Sequence, residues 1–183
     1  EVERLARLAS DLLVLARSDS AVPLEHVAEV DVRSLLHRVV ARFESAAAAR
    51  GVRFAVRTEE VTVSGDERML DRVVSNLVDN GVKYCRPGGE VRLELTMRDG
   101  PVLTVSDEGP GVPPEHLPHL FVRFFRGDPA RRRSEGTGLG LAIAKAGAEA
   151  HGGRLEFVGN SPGAIFRLSL PLAQQTASRP EEA

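Results

Sequence analysis

The strand-forming segments of this chain arrive in tight pairs. Residues 91–98 and 102–107 flank Asp99-Gly100, a dipeptide suited to the positive-φ turn of a short hairpin. Residues 154–159 and 164–170 form a second, closing hairpin, and two short strands near 52–57 and 61–64 come earlier. Hairpins make antiparallel neighbours, whereas a doubly wound parallel sheet needs a long crossover between successive strands. Helical segments alternate with these pairs. The pattern predicts an α+β fold, an α/β sandwich in which a mixed, mostly antiparallel sheet carries helices packed on one face.

The helices follow from apolar periodicity. Val32, Leu35, Leu36, Val39, Val40, Phe43, Ala46 and Ala47 recur at helical spacing, with Asp31 as N-cap and Gly51 as stop. Met69, Leu70, Val73, Val74, Leu77 and Val78 make the stripe of a helix over 66–84, with Ser64 and Glu67 as its capping box. A third helix runs from 138 to 150 and ends at Gly152-Gly153. At the front, Leu5, Leu8, Leu12 and Leu15 give residues 1–17 the seam of a helix that begins without a cap, as though cut from a longer one. The expected organisation is a partial helix over 1–20, a linker over 21–30, a folded domain over 31–172 and a polar, disordered tail over 173–183. Residues 108–137, rich in Gly, Pro and Arg, are long for a connection and read as a functional loop.

Composition narrows the chemistry. Twenty-four Lys and Arg against 26 Asp and Glu supply no net field for gripping nucleic acid, and a 4% aromatic content without Trp gives no base-stacking platform. The lone Cys85 excludes an internal disulfide and a cysteine-based zinc site, and fits a reducing compartment. No apolar run approaches the roughly 18 residues of a membrane helix.

Three clusters carry chemical possibilities. Asn76, Asn80 and Lys83 share one face of the 66–84 helix, at the border of its apolar stripe. Alone, they read first as surface side chains. Asp107-Glu108-Gly109-Pro110-Gly111 puts a carboxylate at a strand end with glycines behind it, where a backbone can approach a ligand closely. Alone, it reads as an acidic turn. Gly136-Thr137-Gly138-Leu139-Gly140-Leu141 opens a helix, where free N–H groups attract phosphate. An ordinary glycine-rich helix entry fits it equally. It is neither the dinucleotide fingerprint nor a Walker loop, since position 141 is Leu and the chain has no Gly-Lys pair. Between the last two clusters lies Leu120-Phe121-Val122-Arg123-Phe124-Phe125-Arg126. Its phenylalanines are expected to pin the loop to the core, and Arg123 and Arg126 are candidate phosphate ligands beside the alternative of surface charge.

In order, these segments resemble the asparagine, first glycine, phenylalanine and second glycine boxes of the catalytic, ATP-binding domain of bacterial two-component sensor histidine kinases. That domain shares its Bergerat-type ATP fold with gyrase, Hsp90 and MutL. The resemblance covers residues 31–172, and the front segment resembles the end of the family's dimerisation and phosphoacceptor helix.

The resemblance implies roles. Asp107 would accept the adenine amino group and disfavour GTP, whose carbonyl would meet an acceptor-only carboxylate. Tyr84 would pack on adenine. Gly109, Gly111, Thr137, Gly138, Leu139, Gly140 and Leu141 would line the ATP site. Asn80 would bind Mg²⁺ through its amide oxygen, and Asn76 would support the phosphate side. Lys83, Arg123 and Arg126 would position phosphates. Residues 112–137 would form a lid. Hydrolysing relatives such as gyrase carry Glu where Asn76 stands, and a neutral amide cannot act as that base. The chain is thus expected to hold Mg-ATP without rapid hydrolysis and to donate its γ-phosphoryl group to a protein histidine, with no nucleophile or base of its own.

The acceptor is not visible here. The family's phosphoacceptor histidine precedes an acidic residue, whereas His26, His37, His116, His119 and His151 precede Val, Arg, Leu, Leu and Gly. All five read as structural or surface residues, and the acceptor is expected on an upstream domain. A response regulator would receive the phosphate, the full-length protein would be a homodimer, and this portion would be cytoplasmic, commonly below a membrane-bound sensor. The alternatives are an anti-sigma-type serine kinase, against which the leucine-rich front helix argues, and a nucleotide-binding module without transfer.

Overall fold

The computed structural model describes Leu24 and residues 26–127 and 137–172. The front helix expected over 1–20, residues 128–136 of the loop, and the tail over 173–183 lie outside the described residues.

The expected layered fold is present. β1 (Val27–Asp31) leads into α1 (Val32–Ala49); β2 (Arg53–Thr58) and β3 (Thr62–Asp66) lead into α2 (Glu67–Tyr84). β4 (Glu90–Met97) and β5 (Pro101–Asp107) form the first hairpin. After a 3₁₀ turn (Pro114–His119), α3 (Gly140–Ala150) precedes the second hairpin, β6 (Arg154–Asn160) and β7 (Ala164–Ser169). The main sheet has the order β2-β4-β5-β7-β6, with only the β2–β4 pair parallel.

Alternation along the strands separates the two faces. Val91, Leu93 and Leu95 of β4, Leu103 and Val105 of β5, Leu155 of β6, and Phe166 and Leu168 of β7 are buried. They join the core with Leu35, Leu36 and Val39 of α1 and Val73, Leu77 and Val78 of α2. α1 packs on β2 and α2, α2 on β5, and α3 on α2 and β6. The opposite sheet face carries a polar row that crosses all five strands in register: Arg57, Glu94, Thr104, Arg167 and Glu156. Opposite charges face each other at Arg57–Glu94 and Arg167–Glu156, the favourable cross-strand arrangement.

Three local expectations change. Residues 27–31 of the expected linker form β1, which pairs antiparallel with β3 in a separate two-stranded sheet. Only Val30 of β1 is buried, so the strand gives almost no alternation to read. Ser64 lies within β3 and does not cap α2. Asp66 does, its Oδ1 accepting from the N–H groups of Arg68 and Met69 at 3.0 and 3.1 Å. Glu67, the other half of the expected box, instead pairs with Arg38 of α1. α3 begins at Gly140 rather than 138, which leaves Gly138 in the entering turn. The cap at Asp31 holds as expected: its carboxylate accepts from Ser34 N and Oγ, and these bonds lower its pKa.

Candidate functional site

Contacts among α2, the end of β5 and the start of α3 join candidate residues in groups: Asn76 with Gly140, Tyr84 and Asp107 with Gly109, and Phe124 with Gly138. Apolar positions bury one face of α2 against the sheet, which leaves Asn76 and Asn80 half-buried at its border. Asn76 faces the start of α3: a Cβ on Gly140 would lie 3.1 Å from Asn76 Oδ1. Asn76 Nδ2 is buried without a partner within the described chain. Leaving such a donor unpaired costs about 1–3 kcal/mol. The first N–H groups of α3 lack intrahelical acceptors by helix geometry and offer further donors there. Leu139 N–H is already taken by Thr137 Oγ1 at 3.2 Å. Leu139 itself is fully buried with Ala142, Ile143 and Ala146, anchoring this helix start, while Leu141 packs on the main core.

Lys83 is engaged one turn along α2, its Nζ donating to Asp79 Oδ2 at 2.5 Å. Tyr84, the last residue of α2, is 50% exposed. Its carbonyl packs against Gly109, where a Cβ would approach it to 2.3 Å, so only glycine fits.

Asp107 closes β5 and is 5% exposed. Its Oδ1 accepts from Gly109 N–H at 2.7 Å. Burial pushes its carboxyl above the ordinary value, partly opposed by the N–H groups of Gly109 and Ala164. Gly163, in the β6–β7 turn, completes this pocket: a Cβ there would lie 2.3 Å from Asp107 Oδ1 and 2.5 Å from Gly109 N. Gly111 adopts φ +74. Beside it, Asn160 clamps the glycine segment to β6, accepting from Val112 N at 2.8 Å and donating to Val112 O at 3.0 Å.

The phenylalanine segment touches the second glycine cluster directly. Phe124 N–H donates to Gly138 O at 2.9 Å, and a Cβ on Gly138 (φ +73) would lie 2.8 Å from the Phe124 carbonyl carbon. The two roots of the loop are thereby joined. Anchoring is divided among the phenylalanines. Phe121 meets Phe166 edge-on at 6.4 Å, and Phe125 packs on His116 and His119. Phe124, expected as a third pin, is 60% exposed with φ 62. Arg123 and Arg126 are exposed on this segment. Among the described residues no group of three or more His, Cys, Asp or Glu side chains is arranged to hold a metal, and no helix is long and apolar enough to cross a membrane.

Sequence reasoning missed Asp79, Asn160 and Gly163. The i, i+4 spacing of Asp79 and Lys83 was a readable signal. The contacts of Asn160 and Gly163 cross more than 40 residues of chain and leave no local trace.

Comparison with known proteins identifies the family. Residues 65–174 match the family described as histidine kinase-, DNA gyrase B- and HSP90-like ATPase. The sensor histidine kinase CusS of Escherichia coli O157:H7 is 38% identical over 174 residues, covering 93% of this chain and 36% of that protein. The chain thus spans about a third of such relatives. The mycobacterial sensor histidine kinase MprB matches in structure with a TM-score of 0.69 at 33% identity, over 81% of this chain and 99% of that one. Full-length ShkA, solved in complex with AMPPNP, matches with a TM-score of 0.80 at 30% identity, over 93% of this chain and 36% of that one. These relatives do not favour the serine-kinase or non-transferring alternatives. The chain belongs to the histidine kinase-, DNA gyrase B- and HSP90-like ATPase family, as an ATP-binding catalytic domain of the sensor histidine kinase kind.

Proposed function

We propose that this domain binds Mg-ATP between Asp107 and the start of α3 and donates the γ-phosphoryl group to a histidine carried on a separate domain. The observation that carries the reading is Asn76, a neutral amide whose oxygen faces Gly140 at the start of α3 and whose buried nitrogen has no partner within the described chain. That position needs an acceptor, such as a phosphate oxygen, and an amide there cannot activate water at neutral pH. The chemistry of the remaining side chains fits the same ligand. Asp107 is a buried acceptor for the adenine amino group, and half-exposed Tyr84 offers a ring to the base. Gly109, Gly111, Gly138 and Gly140 let these segments pack closely, since a Cβ at each would meet Tyr84, Asn160, Phe124 or Asn76 respectively. Asn80 supplies a neutral oxygen suited to Mg²⁺, which takes most of its ligands from phosphate and water. Lys83 would exchange Asp79 for phosphate, and Arg123 and Arg126 would position phosphate from the loop. Bound there, ATP supplies the phosphoryl group and Mg²⁺ neutralises its charge. ShkA, similar over most of this chain, holds an adenine nucleotide analogue, which supports the ligand class.

In the larger protein, we place the acceptor histidine on the dimerisation domain of a cytoplasmic homodimeric core, with relay to a response-regulator aspartate. Mixing the chain with the dimerisation domain of a similar sensor kinase and γ-labelled ATP tests the transfer. Acid-labile label on the acceptor domain is expected. ATP binding without any transfer of label would overturn it.

A further inference from the structure

Asp66, Asp107 and His151 are the buried polar or charged residues of the described chain. Asp107 belongs to the site and Asp66 caps α2, whereas His151, just past α3, has neither role. Both of its ring nitrogens are committed. Asp66 N–H donates to Nε2 at 3.0 Å, and Nδ1 lies 2.7 Å from the carbonyl oxygen of Gly147, which can only accept. The imidazole is therefore neutral, with its proton on Nδ1.

The two bonds reach different elements. Gly147 lies one turn back in α3, while Asp66 ends β3 and caps α2. Space is reserved for the ring, since a Cβ on Gly65 would lie 2.6 Å from His151 Cδ2. Beside it the helices nearly touch: a Cβ on Gly147 would lie 2.5 Å from Val73 Cγ2 of α2. At the other end of the same helix pair, Gly140 faces Asn76.

We infer that His151 is a positioning residue for the phosphate side of the site: its Nε2 bond to Asp66 ties the far end of α3 to the start of α2 and thereby sets the gap between Gly140 and Asn76. Its functional meaning rests on the nucleotide reading above, but the gap is a property of the free protein. Asp107, held by Gly109 and the β6–β7 turn, depends on none of these contacts, so the adenine side is predicted to be indifferent to His151.

Two conservative variants separate this role from local helix capping. His151→Asn keeps a donor for Gly147 O but loses the acceptor for Asp66 N–H; His151→Gln keeps an acceptor that reaches Asp66. Amide spectra of the nucleotide-free chain are expected to shift at the Asn76 side chain and at Gly138 and Gly140 in His151→Asn, and to stay near the parent in His151→Gln. Mg-ATP affinity is expected to fall about tenfold in His151→Asn, the scale of one buried hydrogen bond, with adenosine affinity unchanged. If His151→Asn does not fold, Gly65→Ala displaces the ring with His151 in place and carries the same expectation. Unshifted Asn76, Gly138 and Gly140 signals in the disturbing variants, or equal losses for adenosine and ATP, would overturn the inference. Failure of the parent to bind either ligand would instead overturn the nucleotide reading, with the spectra still deciding the role of His151.

Discussion

At the residue scale, the adenine contact proposed for Asp107 sets recognition against stability. Its desolvated carboxyl is pushed above the ordinary value of 3.8, so ionisation costs the folded state more than the unfolded one. The sign is that of a raised acid: the stabilising contribution is complete below the ordinary value and is lost as pH rises through the folded one. Asp107→Asn removes that loss. Its melting temperature is expected to exceed the parent's at pH 7, and the difference to vanish in scans below the ordinary carboxylate range. The same variant is expected to bind ATP about tenfold or more weakly and to improve GTP relative to ATP, because an amide can donate to the guanine carbonyl. Competition titration of both nucleotides reads that change. Gly163 sets the opposite limit. Gly163→Ala would drive a methyl group into Asp107 and Gly109, with costs on the scale of about 1–3 kcal/mol for overpacking. A lower melting temperature together with loss of ATP binding is the expected outcome.

At the element scale, the site depends on how loops are fastened to regular structure. Asn160 gives Val112 both bonds that a neighbouring strand would give. Asn160→Ala is expected to cost about 1–2 kcal/mol and to speed hydrogen exchange at Val112 and the adjoining glycine segment, while the core strands keep their protection. Elements with strong periodicity were legible in the sequence. α1, α2 and both hairpins bury one face each, so their apolar spacing survives in the chain. The elements missed have weaker local signals. β1 buries a single residue, and the 3₁₀ turn at 114–119 buries none. The capping box failed for a different reason: Ser64 is held in β3 by pairing with Glu29, and Asp66, two residues on, reaches the free N–H groups of α2. Within the candidate site, Asp107, Asn76 and the glycines are proposed from residue type and order. Asn160 and Gly163, which hold the glycine segment and Asp107, became legible only once the chain was folded, whereas the Asp79–Lys83 pair was readable from its spacing.

At the scale of the whole molecule, the fold gathers the proposed nucleotide site at the rim of a sheet whose other face is a charged, solvent-facing row. Ligand binding to the folded state alone predicts a rise in melting temperature that grows with Mg-ATP concentration, worth about 2.7 kcal/mol at a hundred times the dissociation constant. A neutral amide at Asn76 predicts only slow ADP release over hours, and rapid steady hydrolysis would exclude the proposed donor role. The most direct test is a calorimetric titration of Mg-ATP into the parent chain and into Asp107→Ala. One-to-one binding by the parent, lost or strongly weakened in the variant, is the predicted result. A well-folded parent that binds no ATP, or a variant that binds as tightly as the parent, would contradict the placement of adenine at Asp107.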